Sequence, residues 1–153
     1  VALARVGVGR LVLADFDLDG LPDLALLSAG ATPVQIAFRQ EGSAALVPLA
    51  QALDAVLAPA RAVAADFDED GDPDLLVTCA CAGTDRTTLY LNAWSQTGKV
   101  GFSPAQGEIG LPPASSASIP IAFDHDGDGD IDLLLLATGS AVGDSPAAGC
   151  CWR

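Results

Sequence analysis

One stretch of the chain decides its fold, and it reads ADFDLDGLPDLALL from residue 14 to residue 27. Within this stretch, aspartates recur at positions 15, 17, 19 and 23 around Gly20, and an apolar run follows at once. The arrangement returns as ADFDEDGDPDLLV at 65–77 and as AFDHDGDGDIDLLLL at 122–136. The chain therefore carries three copies of the pattern Asp-x-Asp-x-Asp-Gly-x-x-Asp, which begin at residues 15, 66 and 124.

Carboxylates at alternate positions of such a loop point hard oxygen atoms toward one centre, and the glycine allows the backbone to reverse there. Carboxylates about 4 Å apart repel each other by roughly 4 kcal/mol per pair at an effective dielectric constant near 20, so a cluster of four requires a cation. Metal-free Asx-turns also favour aspartate and glycine, but they do not require four carboxylates at fixed offsets. The pattern predicts up to three Ca²⁺ ions, each with a structural role.

An apolar segment precedes each loop, and a denser one follows it. The preceding segments are 11–14, 62–65 and 119–123, and the following ones are 24–27, 75–77 and 133–136. Further strand candidates lie at 34–38 and 88–91, with weaker ones near 44–49 and 100–103. Runs that are apolar at every position indicate strands covered on both faces. The pattern predicts an all-β fold of about 2.5–3 four-stranded antiparallel β-propeller blades, in units of approximately 10–60, 61–118 and 119–153, the last incomplete.

The net charge of −13 is concentrated in the loops, because fifteen of the twenty acidic residues lie in the three nine-residue windows. The seven basic residues are scattered and do not form a track for phosphates, so we expect no nucleic-acid partner. The apolar stretch 44–65 is interrupted by charged residues and prolines, so we expect no membrane insertion. Part of that stretch has helical spacing and predicts a short packed helix that ends at Pro59, with a buried face of Leu49, Leu53, Val56 and Leu57.

The four cysteines form two close pairs, Cys79 with Cys81 and Cys150 with Cys151. An even count favours an oxidising compartment with one or two disulfides between the pairs, and the connectivity stays open. A zinc site built from all four is the alternative, although neither spacing matches the Cys-x-x-Cys motif.

The chain starts at Val1 and contains no methionine, and it has fewer than three complete blades where propellers close with about four to eight. We therefore expect part of a larger protein, in which the remaining blades of a parent chain or self-association cover the open faces. The isolated chain is expected to self-associate or aggregate.

Loops of this type also open the EF-hand, which needs a bidentate glutamate at loop position twelve and flanking helices. Position twelve here is Leu26, Val77 and Leu135, each in an expected strand. EF-hands and dockerin-like modules are therefore excluded.

The repeated aspartate loop with its flanking strands resembles the FG-GAP repeat family, which includes the integrin α-subunit propeller and the related bacterial VCBS-type repeats. The resemblance rests on Ala-Asp-Phe-Asp at 14–17 and 65–68, Pro-Asp-Leu at 22–24 and 73–75, and Leu-Tyr-Leu-Asn at 89–92. Departures are His125 in place of a phenylalanine, Phe38-Arg39-Gln40 where Leu-Asn would be usual, and the missing blades.

The resemblance implies that each loop joins the first two strands of a blade and binds calcium. The side-chain ligands would be the aspartates at loop positions one, three, five and nine, namely Asp15, Asp17, Asp19, Asp23, Asp66, Asp68, Asp70, Asp74, Asp124, Asp126, Asp128 and Asp132. Position seven would contribute a main-chain carbonyl from Leu21, Asp72 or Asp130. We expect the side chains of Glu69 and Asp72 to be solvated, and His125 to pack beside its neighbour.

By analogy, the resemblance implies an extracellular scaffold that binds a protein or glycan partner, as in adhesion. Trp94 and Trp152 are candidate contact residues, although Trp94 fits blade packing equally well. The sequence shows no nucleophile elbow, no phosphate-binding glycine loop and no histidine partner for the cysteines, so we expect no catalytic role. The alternative is a propeller domain of a secreted polysaccharide-cleaving lyase or hydrolase.

Overall fold

The computed structural model describes residues 9–28, 33–51, 53, 59–79, 87–106, 119–136 and 150–152, with the backbone alone for residues 59, 60 and 150–152. These residues form three antiparallel sheets, each of which is one blade. Blade 1 has the order β1-β2-β3-β4, with β1 (Arg10–Ala14), β2 (Asp23–Leu27), β3 (Val34–Arg39) and β4 (Leu46–Pro48). Blade 2 has the order β5-β6-β7-β8, with β5 (Pro59–Ala65), β6 (Asp74–Cys79), β7 (Thr87–Asn92) and β8 (Phe102–Pro104). Blade 3 has the order β11-β10-β9, with β9 (Ile119–Phe123), β10 (Asp132–Leu136) and β11 (Cys150–Trp152).

Each aspartate loop is the connection between the first two strands of its blade. The strand pairing begins at Ala14 with Asp23, at Ala65 with Asp74, and at Phe123 with Asp132. Pro22 and Pro73 stand just before the second strand, where a missing N–H removes no ladder hydrogen bond. The loops therefore lie at equivalent positions in the three blades.

The three blades pack in chain order, because the first strand of blade 2 contacts the first strands of both other blades. One apolar core lies between blades 1 and 2 and includes Leu27, Ile36, Leu75 and Tyr90. A smaller core lies between blades 2 and 3 and includes Leu76, Leu89, Leu133 and Leu135. Full burial of one such aliphatic side chain contributes about 1.5–3 kcal/mol, so these two cores hold the blades together.

The burial of each second strand reflects the number of its neighbours. Every residue of β6 is buried, because blade 2 has a blade on each side, whereas β2 alternates between buried and half-buried positions. The prediction of doubly covered strands is thus confirmed for β6 and holds for one face of β2. The all-β fold of propeller blades is confirmed as well.

Two details differ from the expected organisation. The unit boundary predicted after residue 60 lies inside β5, which begins at Pro59. The helix predicted up to Pro59 is wrong at Leu49 and Leu53, which are not helical, while Val56 and Leu57 lie outside the described residues. Leu53 is nevertheless buried in the core between blades 1 and 2, and Leu49 packs against that core, so their apolar character serves the blade contact instead.

A four-residue helix, α1 (Trp94–Thr97), follows β7 and was not predicted. Gly98 closes it in the left-handed conformation, with φ of 66°, and its N–H donates to the Trp94 carbonyl at 2.7 Å. Trp94 is half-buried, whereas the side chain of Trp152 lies outside the described residues.

Cys79 is disulfide-bonded, as the even cysteine count predicted, and the connectivity involves side chains outside the described part of the chain. Within that part, no helix is long and apolar enough to cross a membrane.

Candidate metal centres

The backbone of the three loops takes the same left-handed turns at loop positions four and six. At position six, Gly20, Gly71 and Gly129 have φ of 86°, 96° and 101°, a conformation that glycine adopts without steric cost. At position four, loops 1 and 2 place Leu18 and Glu69 at φ of 53° and 59°, where loop 3 has Gly127. The glycine requirement inferred from the sequence is therefore confirmed.

The first aspartate of each loop organises the turn through its carboxylate. Asp15 accepts hydrogen bonds from the N–H groups of Asp19 at 3.0 Å and Gly20 at 2.8 Å. Asp66 does the same in loop 2, at 3.1 and 3.0 Å. Asp124 accepts from Gly127 and Gly129 at 2.7 and 3.1 Å. Metal-free Asx-turns would form such bonds too. The bonds therefore account for the shape of the loops, but they do not indicate a bound metal.

Three carboxylates converge in each loop. One oxygen from each of them lies within 4.8 Å of the others, in the sets Asp15, Asp17 and Asp19; Asp66, Asp68 and Asp70; and Asp124, Asp126 and Asp132. The structure thus brings together loop positions one, three and five in loops 1 and 2, and positions one, three and nine in loop 3. Asp23, Asp74 and Asp128, which were also predicted as ligands, lie outside these sets.

One carboxylate oxygen of the first set is buried without a hydrogen-bond partner. This atom is Oδ1 of Asp17, and such burial is costly for a carboxylate oxygen. Burial raises the pKa of Asp17, and the charges of Asp23 and Asp19 raise it further. In loop 2, burial and the charge of Asp70 raise the pKa of Asp68 in the same way. Because all the converging donors are hard oxygens, the sets fit calcium, which prefers six to eight such ligands.

The aspartate at position nine binds the protein backbone with both carboxylate oxygens in loops 1 and 2. Asp23 accepts from Phe16 N at 3.0 Å and from Arg39 N at 2.9 Å, and Asp74 accepts from Phe67 N and Asn92 N, both at 2.8 Å. Each carboxylate therefore ties its loop to the third strand of its blade. Since a carboxylate oxygen can accept more than one bond, these contacts leave capacity for a metal.

Asp74 is fully buried, and that burial raises its pKa to about 7, although the bonds from Asn92 and Phe67 oppose the rise. Burial likewise raises the pKa of Asp23. Burial therefore makes the charged form of both position-nine aspartates, Asp23 and Asp74, less favourable than that of an exposed aspartate.

The residue at position seven differs between the loops in a way that the sequence did not reveal. The expectation of a solvated side chain is wrong for Asp72, which is fully buried. Its Oδ2 accepts from Ser95 N at 2.6 Å, while its Oδ1 is buried without a hydrogen-bond partner. Ser95 Oγ donates to Asp70 Oδ2 at 2.8 Å, and Gln96 Nε2 donates to the same oxygen. Helix α1 thus braces loop 2.

Neighbouring loops also contact one another. The Asn92 side-chain amide of blade 2 donates to the Phe16 carbonyl of loop 1 at 2.9 Å and to the Pro73 carbonyl of loop 2 at 3.2 Å. Exposed Glu69 of loop 2 lies near Asp130 of loop 3, whose negative charge raises the pKa of Glu69. The three loops therefore share one end of the blade array.

His125 packs beside its neighbour, as predicted. The imidazole ring stands edge-on to the Phe123 ring with a centroid separation of 5.7 Å. The backbone N–H of His125 donates to Asp132 Oδ2 at 2.8 Å. This arrangement gives the imidazole a packing role.

Comparisons with known proteins agree with this geometry. Residues 11–77, which run from the first strand of blade 1 into the second strand of blade 2, match the family model described as FG-GAP-like repeat. No curated protein and no solved structure matches the chain. The matched segment, the repeated loops and the antiparallel blades are consistent with an FG-GAP-type repeat protein, to which residues 11–77 are similar.

Proposed function

We propose that the chain is a calcium-binding propeller module whose ions fix the loops at one end of the blades, and that the module binds a protein or glycan partner outside the cell. The observation that carries the proposal is the convergence of three carboxylates in every loop. In loop 1 it is joined by a buried Asp17 oxygen without a partner. A bound cation would offset both the mutual repulsion and the desolvation of these groups.

Calcium fits these loops better than magnesium does. Magnesium requires six ligands in near-ideal octahedral geometry at short distances and gives up its water reluctantly. The loops would offer carboxylates at loop positions one, three, five and nine and a main-chain carbonyl at position seven, which is a varied set of oxygen ligands. Calcium accepts such a variable set, and its charge would be matched by the local carboxylates.

The ions would act on the packing between blades, because the loops contribute directly to it. Phe16 of loop 1 is fully buried against Phe102 of blade 2, with the rings edge to face at 5.5 Å. Phe67 of loop 2 packs against the core between blades 2 and 3. Fixing a loop therefore fixes the residue that anchors the next blade, which supports a structural role for the metal.

Two observations support an extracellular binding role. Cys79 is disulfide-bonded, which is typical of oxidising compartments. Half-buried Trp94 lies on α1, whose Ser95 and Gln96 hold the carboxylates of loop 2, so an indole is available beside a candidate metal centre. Tryptophan is enriched among residues that dominate binding interfaces.

Isothermal titration calorimetry with calcium, after removal of metal with a chelator, tests the metal part of the proposal. We expect more than one equivalent to bind to the wild-type chain, and Asp17→Asn to abolish binding at loop 1 while the other loops still bind. Glu41→Gln is the matched control, because Glu41 is exposed and lies outside the loops. A wild-type chain that binds no calcium at millimolar concentration would refute the proposal.

The binding role needs a separate measurement. A glycan array and a pull-down from extracellular matrix extract, each with calcium and with chelator, should give saturable calcium-dependent binding. Cleavage of a polysaccharide by the same sample would instead favour a catalytic role.

A further inference from the structure

Asp72, at position seven of loop 2, has one carboxylate oxygen that is buried and unsatisfied. The side chain is fully buried, and its Oδ2 accepts a hydrogen bond from Ser95 N at 2.6 Å. Its Oδ1 is buried as well and has no hydrogen-bond partner in the described part of the chain. Asp74, which is also fully buried in this loop, instead accepts backbone hydrogen bonds with both of its oxygens. Oδ1 of Asp72 is therefore a buried oxygen that is available to a ligand.

The sequence of loop 2 offers no positive charge that could offset the Asp72 carboxylate. Residues 66–74 include six acidic residues and no basic residue. Burial of a carboxylate is costly unless a cation or several hydrogen bonds accompany it, and Asp72 has one backbone N–H. A proton would remove the charge, but it would add an O–H donor that itself needs an acceptor. A cation at Oδ1 accounts for the burial of Asp72 without creating a further unsatisfied group.

The Asp72 carboxylate lies near the other acidic groups of loop 2. The Asp72 N–H donates to Asp70 Oδ1 at 3.1 Å. Ser95 joins the two side chains, because its N–H donates to Asp72 Oδ2 and its Oγ donates to Asp70 Oδ2 at 2.8 Å. Burial is the largest cause of the raised pKa of Asp68 and of Asp74, and the negative charge of Asp72 contributes to both rises. Asp72 is therefore held beside the predicted ligands at loop positions three, five and nine.

We propose that Oδ1 of Asp72 is a side-chain ligand of the cation in loop 2, an inference that rests on the proposed binding of calcium by the loops. The resemblance to FG-GAP repeats implies only a main-chain carbonyl at position seven, which makes no use of the side chain. Calcium takes six to eight oxygen ligands, whereas three carboxylate oxygens converge in loop 2. A further carboxylate oxygen adds both a ligand and negative charge to this site.

Position seven of the other two loops has a different environment. In loop 1 it is half-buried Leu21, which has no side-chain oxygen, and in loop 3 it is Asp130, which is exposed to water. Helix α1 makes the difference in loop 2, because its Ser95 holds one oxygen of Asp72 and leaves the other buried. The side chain at position seven is therefore placed to bind a cation in loop 2 and not in loop 1.

Terbium luminescence sensitised by Trp94 tests the proposal with the intact chain. The chain has two tryptophans, so Trp94 is the remaining one in a Trp152→Phe background. Trp94 directly precedes Ser95 in α1, and Ser95 contacts the carboxylates of loop 2. Loss of the signal in Asp68→Asn assigns it to loop 2. Terbium stands in for calcium, and its displacement by calcium gives the calcium Kd of this loop.

Asp72→Asn should raise the calcium Kd of loop 2 by at least about tenfold. It should also add about one water to the bound terbium, counted from luminescence lifetimes in H₂O and D₂O. The amide oxygen of this variant can still accept the hydrogen bond from Ser95 N, so α1 keeps its contact, but the amide nitrogen cannot bind a cation. Glu69→Gln is the matched control, because it removes one negative charge from an exposed position of the same loop. It should change the Kd by less than about threefold and leave the water count unchanged.

Each outcome of these titrations decides the role of Asp72. An unchanged Kd and water count in Asp72→Asn would overturn the inference and leave calcium binding by the loops intact. Equal losses of affinity in Asp72→Asn and Glu69→Gln, without an added water, would show an effect of charge alone and would overturn it too. A wild-type chain that binds neither terbium nor calcium would overturn the proposed function as well. Circular dichroism checks that every variant is folded.

Discussion

Replacing Asn92 by alanine breaks a polar link between two blades. The Asn92 side chain is 2% exposed, and its amide donates to carbonyls of loop 1 and loop 2 while its Oδ1 accepts from Ala93 N at 2.9 Å. The backbone bond from Asn92 N to Asp74 does not involve the side chain and survives the substitution. Asn92→Ala therefore isolates three side-chain hydrogen bonds.

Each buried hydrogen bond contributes about 0.5–1.5 kcal/mol net, and a buried group left without a partner costs about 1–3 kcal/mol. Because the freed carbonyls can find partial substitutes, we expect Asn92→Ala to lower the free energy of unfolding by about 2–4 kcal/mol. For a chain of this size, that corresponds to a fall in Tm of roughly 4–16 °C. Asn92→Asp should destabilise at least as much, since its carboxylate would face two carbonyl oxygens.

Urea unfolding in chelator, followed by circular dichroism, measures this loss without a contribution from metal. Gln106→Ala is the control, because exposed Gln106 Nε2 also donates to a backbone carbonyl, that of Pro104 at 2.9 Å, and its loss should cost less than about 0.5 kcal/mol. If Asn92→Ala and Gln106→Ala unfold at the same urea concentration, the bridge between the loops does not stabilise the fold.

Three further predictions concern the loops. Chelation of calcium should lower the Tm, because an ion bound only to the folded state stabilises it by about 2.7 kcal/mol per site at a hundredfold excess over Kd; an identical melt in calcium and in chelator would contradict metal binding. In chelator, the free energy of unfolding should fall as pH rises from about 4 to about 7. Burial raises the pKa of Asp74 from 3.8 to about 7 in the folded state, so the unfolded chain loses this proton at lower pH than the folded chain does. Urea unfolding at pH 5 and pH 8 should show the loss, and saturating calcium should reverse the trend. Gly127→Ala should lower the free energy of unfolding by about 1 kcal/mol, because residue 127 has a left-handed backbone while open space surrounds the added Cβ. Leu18→Gly, at the equivalent position of loop 1, should not lower it. If neither variant changes the Tm in thermal melts, neither turn is strained.

The strands and loops could be predicted from the sequence because their signals are local. The aspartate spacing defines each loop, and the apolar runs beside it define the paired strands, so β1, β2, β5, β6, β9 and β10 were all expected near their observed positions. The weak fourth strands β4 and β8 were also anticipated, although they have three residues each.

The features that were missed depend on contacts between distant residues. Apolar residues at 49 and 53 have helical spacing, but the core between blades 1 and 2 uses them without a helix. Asp72 resembles a solvated loop residue until Ser95, 23 positions later, donates to its carboxylate. The hydrogen bond from the Asn92 side chain to the Phe16 carbonyl joins residues 76 positions apart. The sequence around neither residue predicts this contact. The short α1 has no side-chain N-cap, so its sequence carries little helical signal.

The gathering of the three loops at one end of the blades concentrates negative charge at that end. Fifteen acidic residues belong to the loop windows, while the seven basic residues are scattered along the chain. A charged surface would therefore exert a torque on the molecule before contact, within the Debye length of about 8 Å at physiological ionic strength. Every divalent ion held by a loop would cancel two charges at that pole, so the calcium concentration would set the orientation in which the module first meets a charged partner.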